Sequence, residues 1–157
     1  MEKVSIVIDG KTYEYEKGTS FKTIAADFQQ QYDAQIAVCV YNGKIRELAK
    51  KEDKDGTLEF LTVKDSIGHK TYIRTATMMM LKALYDVLGK DHVGKAKIEF
   101  AIGPAYYCSI SSDVEISEEI VKRINERMNY MVIAAMPIIK KSYPIDDALE
   151  IFERQGM

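Results

Sequence analysis

The sequence predicts an α+β protein made of two small units in series. Three observations carry that expectation. The first sixty residues contain short alternating or β-branched runs closed by Asp-Gly and Asn-Gly pairs. The second half contains long stretches in which apolar residues recur at helical spacing. A polar break, Asp65-Ser66-Ile67-Gly68, separates the two patterns.

Val4 to Ile8 alternates as a strand, and Asp9-Gly10 is a type I′ turn signal that returns the chain as a second strand over Thr12 to Tyr15. Gly18 breaks the hairpin, and Thr19 or Ser20 can cap a helix in which Phe21, Ile24, Ala25 and Phe28 share one face. Ile36 to Tyr41 is an apolar strand. Asn42-Gly43 turns it into a return strand over Ile45 to Leu48, and Asp55-Gly56 makes a further turn before Thr57 to Val63. The order β-β-α-β-β-β is a β-grasp pattern.

After the break, a helix is expected from about Lys70 to Leu88, stopped by Gly89. Strands follow at Lys97 to Ile102 and Tyr106 to Ile110, parted by Gly103-Pro104. Ser117 caps a helix carrying Ile120, Ile124, Met128 and Met131 on one stripe, with Glu118 and Glu119 suited to its N-terminus. Pro137 to Lys141 reads as short and extended. Pro144 opens a last helix with Ala148, Leu149 and Phe152 facing inward.

Composition narrows the function classes. The chain has 157 residues, of which 46% are hydrophobic and 29% charged, an ordinary globular balance that sets aside disorder and fibrous architectures. The formal net charge of −2 gives no global field that would attract nucleic acid, so such binding needs a local patch. No apolar run approaches a membrane span, and a charged opening followed by a strand does not read as a signal peptide. Two cysteines far apart, Cys39 and Cys108, fit a reduced cytoplasmic chain without a disulfide framework. There are only two histidines, His69 and His92, and neither has a partner at ligand spacing.

The stretches Ile8-Asp9-Gly10-Lys11, Tyr15-Glu16-Lys17-Gly18-Thr19-Ser20, Val40-Tyr41-Asn42-Gly43-Lys44 and Asp55-Gly56-Thr57-Leu58-Glu59-Phe60-Leu61 resemble a TGS domain. That β-grasp module is shared by threonyl-tRNA synthetases, certain GTPases and stringent-response enzymes. Tyr72-Ile73-Arg74, Ala101-Ile102-Gly103-Pro104, Tyr106-Tyr107 and Ala148-Leu149-Glu150-Ile151-Phe152 resemble the start of the second additional domain of those synthetases. The resemblance implies a TGS-like unit over 1–65 and the first part of the additional domain, truncated at its C-terminal end, over 66–157.

In the synthetases the second domain edits mischarged tRNA with a histidine pair at i and i+4 on its first helix and a later Cys/His pair. The positions matching the first pair here are Thr75 and Met79. Thr75 is no general base near neutral pH, and Met79 offers only a thioether, so editing chemistry is not expected. The same pair of domains without editing histidines occurs at the front of a bacterial uridine-kinase-like family. The sequence resembles that family more than a synthetase on two points, the lost histidine pair and the short Gly103-Pro104-Ala105-Tyr106-Tyr107 link, although no P-loop motif occurs in these residues.

At about 100° per residue, Thr75, Met79, Lys82 and Asp86 fall within roughly a 60° arc, opposite a core stripe of Ile73, Ala76, Met80, Leu84 and Val87. Met79 on that polar arc either floors a pocket or covers an adjacent β-surface. The candidate pocket comprises Arg74, Thr75, Met79, Lys82, Tyr106, Tyr107 and Cys108. The last three lie on a strand that the resemblance places beside the helix, and Cys108 shares a face with Tyr106. Lys44, Arg46, Lys50 and Lys51 are interleaved with Glu47, Glu52, Asp53 and Asp55, a solvated face or a nucleic-acid footprint.

The expected function is a non-catalytic N-terminal regulatory or ligand/RNA-docking module of a uridine-kinase-like (P-loop nucleoside kinase) protein whose kinase domain lies outside these residues. Its expected partners are an attached kinase domain, RNA or a small ligand, with no membrane. No catalytic residue, metal or cofactor is assigned to this chain; ATP and Mg²⁺ belong only to an attached kinase. The alternatives are an editing-region fragment of a threonyl-tRNA synthetase, or a related deacylase, and a stand-alone RNA-binding module.

Overall fold

In a computed structural model, which describes residues 2–103 and 105–154, the chain is α+β with two separate sheets. Pro104, part of the expected link, lies outside the described residues. Strands β1 (Lys3–Ile8), β2 (Lys11–Glu16), β3 (Ile36–Tyr41), β4 (Lys44–Arg46) and β5 (Gly56–Thr62) form the first sheet in the order β2-β1-β5-β3-β4. Only β1 and β5 run parallel; the other pairs are antiparallel, which is the β-grasp topology. Both short turns behave as their sequences require: Asp9-Gly10 and Asn42-Gly43 carry positive φ at each of their two central residues.

Helix α1 (Phe21–Phe28) lies across this sheet. Ser20 Oγ accepts from the Thr23 amide at 3.2 Å, which satisfies one of the donors left open at a helix start. Phe21, Ile24, Ala25 and Phe28 are all buried and meet Val4, Ile6, Ile8, Ile36, Cys39, Tyr41, Leu58 and Phe60. Phe28 stacks edge-on with Tyr13 at 5.1 Å and tilts against Phe60 at 5.8 Å. Burial pushes the Cys39 thiol up to about 12, which makes it a packing group and not a nucleophile.

The second part contains α2 (Ser66–Leu88), β6 (Val93–Ile102), β7 (Ala105–Ser112), α3 (Glu118–Ile133) and α4 (Ile145–Arg154). Strands β6 and β7 form an antiparallel hairpin. Leu84, Leu88 and Val93 are the buried centre of this part, with Ala96, Ile110, Ile116, Ile120 and Ile124 packed around them. Ser117 caps α3 by accepting from the Ile120 amide at 3.3 Å, as its position suggests.

Several expectations are corrected. Helix α2 begins at Ser66, inside the polar break, and not at about Lys70. Asp65 precedes the helix and accepts from the Thr62 amide at 2.7 Å and the Thr62 hydroxyl at 2.8 Å. Those bonds hold its carboxyl below the usual carboxylate range. Asp55-Gly56 is not a turn: Gly56 begins β5, where a Cβ would meet the Asn42 amide at 2.5 Å. The return strand after Asn42-Gly43 covers Lys44–Arg46, and the second hairpin is longer than expected at both ends. Leu149 and Phe152 do not face inward; they are 56% and 50% exposed. In α2 the fully buried side chains are Ala83, Leu84 and Leu88, while Ile73, Ala76, Met80 and Val87 are not. The shift follows from what covers the helix: its C-terminal half packs on α3 and β6, and its start leans on β3 and β5.

Gly68 is the tightest point of that packing. A Cβ there would sit 1.9 Å from the Thr62 carbonyl oxygen and 2.7 Å from its carbon, both backbone atoms that cannot swing aside. Gly68→Ala is therefore expected to destabilise the protein by about 1–3 kcal/mol. That corresponds to a thermal midpoint lowered by roughly 3–10 °C. Gly94→Ala, whose nearest neighbour would be 3.6 Å away, is the control and should shift the melting curve much less; equal shifts would refute the steric explanation.

Candidate functional site

A cleft of about 620 Å³ opens where the two parts meet. Helix α1 contributes Lys22. Helix α2 contributes Thr75, Met78, Met79 and Lys82. Met131 and Val132 come from α3, and Ala135, Met136, Pro137 and Ile138 from the segment after it. The volume suits a small ligand or the end of a larger one.

Each wall has a local cause. Thr71 Oγ1 donates to the Ile67 carbonyl at 3.0 Å and Thr75 Oγ1 to the Thr71 carbonyl at 3.2 Å. The Thr75 proton is thus committed to the helix backbone, and its oxygen faces the cleft only as an acceptor. Asp86 ties α2 to α3. It pairs with Lys82 one turn back, and Arg127 reaches it at 2.8 Å. The Lys82 hydrogen bond, then the Arg127 one, hold the Asp86 carboxyl below its ordinary range. Arg127 also lies 5.1 Å over the Tyr130 ring. Helix α3 ends in a Schellman arrangement: the Met136 amide donates to the Met131 carbonyl and the Ala135 amide to that of Val132, both at 3.0 Å. That turn needs Ala135 at φ +47°. It sends Met136, Pro137 and Ile138 back along the cleft. Further on, Lys140 pairs with Glu47 at 2.7 Å and fastens this segment to the loop after β4; that ammonium holds the Glu47 carboxyl below its usual range.

The expected site residues separate. Thr75, Met79 and Lys82 line the cleft. Arg74 is exposed on α2 and does not line it. Tyr106, Tyr107 and Cys108 sit at the far end of the hairpin, outside it, where Tyr106 and Tyr107 are exposed and Cys108 Sγ faces the Tyr106 carbonyl at 3.9 Å. Lys22, Met131 and Met136 join the site without a sequence signal that assigns them to it. Met131 has the periodicity of an ordinary core residue, and Lys22 reaches the site across the two parts, which no local pattern reports. A second hollow of about 350 Å³, lined by Met80, Leu84, Ile110, Ile116, Ile124 and Met128 among others, is almost wholly apolar.

Chemically, the cleft offers two ammonium groups, one threonine acceptor and four thioethers. None of its lining residues is a histidine, cysteine or carboxylate. His69 is exposed on α2, and exposed His92 contacts Asp113 at 3.0 Å. Among the described residues, no group of three or more His, Cys, Asp or Glu is placed to hold a metal ion. Nor is any helix among them long and apolar enough to cross a membrane. Around the basic cluster, Arg46 pairs with Glu52 at 3.1 Å.

Fold and cleft together define a small α+β protein with a methionine-lined cationic cleft that carries no acid–base pair. In sequence it is similar to threonine-tRNA ligases. It is 27% identical over 152 residues to that of Syntrophomonas wolfei subsp. wolfei, covering 94% of this chain and 23% of that protein. It is 31% identical over 142 residues to that of Caldanaerobacter subterraneus subsp. tengcongensis, covering 88% and 20%. It is 30% identical over 151 residues to that of Clostridium acetobutylicum, covering 94% and 23%. The chain spans less than a quarter of the length of these curated relatives. No protein-family model matches it. Among solved structures, a complex of ATBAG1 with HSP70 aligns over 58% of this chain and 59% of that one at 16% identity, with a TM-score of 0.34, too weak a likeness to carry an argument.

The left-handed turn and the Asp86 pairing each have a measurable consequence. Ala135→Gly should stabilise the protein by about 0.5–1 kcal/mol, because glycine adopts this φ without a Cβ penalty; an unchanged or lowered thermal midpoint would contradict the strain. Asp86→Asn should cost about 1 kcal/mol at neutral pH. The folded carboxyl titrates below its unfolded value, so its contribution is present above about pH 4 and fades as pH falls through the lowered folded value. The stability gap between wild type and variant should therefore close in acid; a gap constant from neutral pH down to about pH 2 would refute the pairing.

Proposed function

We propose that this chain is a non-catalytic docking module of threonyl-tRNA-synthetase type, which holds the amino-acid-bearing end of a tRNA in the Lys22/Lys82 cleft. Residues 1–65 act as the TGS-like unit and 66–157 as the unit resembling the start of the editing domain, working in the cytoplasm beside a catalytic body elsewhere. The observation that carries this reading is the pair Thr75 and Met79. These residues occupy the positions that the resemblance assigns to the editing histidines, and both line the cleft. Thr75 donates its proton to the Thr71 carbonyl and Met79 has none to exchange. The cleft thus keeps cationic and apolar contacts suited to a phosphate-bearing end and lacks a base to activate water.

A second reading keeps the module and attaches it to a P-loop nucleoside kinase, which would bring ATP and Mg²⁺ with it. The two-residue connection between β6 and β7 favours it, since the uridine-kinase-like family has a short link there. Transfer of phosphate from ATP to uridine by the natural full-length protein would support that attachment. The same activity in this chain alone would contradict a non-catalytic role.

The decisive measurement pairs binding with turnover. The chain should bind tRNA in a salt-dependent manner. Lys22→Gln and Lys82→Gln should each weaken binding and lower the slope of log affinity against log salt by about one. It should not deacylate mischarged tRNA above the uncatalysed rate. Measurable deacylation without added protein would overturn the reading, as would absence of tRNA binding at low ionic strength.

A further inference from the structure

The β6–β7 hairpin covers the small core with one face and leaves the other open. Cross-strand partners share a face. Ala96 with Ile110 and Ile98 with Cys108 lie on the covered side. Lys95 with Ser111, Lys97 with Ser109, Phe100 with Tyr107 and Ile102 with Ala105 lie on the open side. Strict alternation would put Phe100 on the same side as Ile98. The register shift between Ile98 and Phe100 inserts one extra residue, and this bulge turns Phe100 outward beside Tyr107. Bulges that re-aim a side chain in this way recur at functional edges.

The result is an exposed aromatic pair. The Phe100 and Tyr107 rings stack with centroids 5.1 Å apart and planes 23° from parallel. They are 57% and 50% exposed. The stacked pair presents a flat, exposed aromatic platform to solvent. Lys95 and Lys97 are exposed further along the same face. The one carboxylate among them, Glu99, accepts from the Ser109 hydroxyl at 2.6 Å. Stacked rings beside ammonium groups match a strand whose bases are unpaired and whose phosphates are negative. An apolar protein surface would leave the lysines without partners. A second copy would crowd two sets of lysines onto one patch.

We propose that this open face, Lys95, Lys97, Phe100 and Tyr107, binds a short stretch of single-stranded RNA, with bases stacked on the ring pair. The proposal rests on the reading of the chain as an RNA-docking module and adds a second contact, distinct from the Lys22/Lys82 cleft.

The test uses the whole chain and a fluorescent oligouridine of about 12 nucleotides, followed by anisotropy. Salt-dependent binding is expected. The double substitution Phe100→Ala/Tyr107→Ala should weaken it on the order of 10- to 100-fold, while Tyr107→Phe keeps the ring and should bind as wild type. Lys95→Gln/Lys97→Gln should lower the salt slope by roughly 1.4, since each single-strand phosphate neutralised by a lysine accounts for about 0.7. Lys122→Gln, at an exposed α3 lysine that belongs to neither surface, should leave oligouridine binding unchanged. Circular dichroism checks that each variant is folded. Three results would overturn the proposal: no oligouridine binding at low salt; binding indifferent to removal of both rings; or sedimentation showing a dimer that the ring substitutions dissolve. If tRNA still binds through Lys22 and Lys82 in any of these cases, only the hairpin proposal fails.

Discussion

The close approach of Gly68 to the Thr62 carbonyl decides how the two parts of the molecule are joined. A three-residue connection leaves β5, and Asp65 is held by the amide and hydroxyl of Thr62 before α2 begins. With no side chain at Gly68, the first turn of the helix can press onto the end of the strand. That contact replaces a flexible linker with a fixed exit direction. A 23-residue helix then carries the fixed direction across the molecule, bringing Thr75, Met79 and Lys82 opposite Lys22 of α1. The cleft is therefore a consequence of backbone packing at its far end as much as of the residues that line it.

Asp86 and Arg127 act in the corresponding way at the other end of α2. Their contact holds α3 against the face of α2 that carries Met79 and Lys82. The left-handed turn at Ala135 then folds the following segment back over the opening. These interactions are individually modest, of the size expected for partly exposed ion pairs. Their effect is large because each acts on a helix end, where a small change of angle moves several lining residues together.

Much of the first sheet is legible in the sequence because its signals are local. Asp9-Gly10 and Asn42-Gly43 dictate tight hairpins, and Phe21, Ile24, Ala25 and Phe28 fix both the period and the buried face of α1. The second part is less legible for physical reasons. Gly68 reads as a breaker, yet it is a packing contact with a strand that lies only a few residues away. Leu149 and Phe152 have helical spacing, but periodicity does not say whether a partner covers the face. Helix geometry alone groups Thr75, Met79 and Lys82. It does not reach Lys22 and Met136, since they join the site through contacts between elements. Tyr106 and Tyr107 fall in with the pocket if strand and helix are simply taken as neighbours, but the hairpin carries them past the cleft to its own far end.

The hairpin bulge shows the same limit from the other side. Period-two reading of Ile98, Glu99 and Phe100 assigns Phe100 to the covered face with Ile98. One inserted residue reverses that assignment and turns a core-like phenylalanine into half of an exposed aromatic pair. The cleft and the open hairpin face then differ in chemistry. The first combines thioethers with ammonium groups in a concavity, suited to a terminal group that can enter it. The second combines flat rings with ammonium groups on an open sheet, suited to a strand that lies across it. Since both surfaces are cationic on a chain whose net charge is −2, their lysines are local concentrations against an opposing overall field. The RNA contact proposed at either surface would therefore depend on short-range stacking and pairing with phosphates, with no help from long-range attraction.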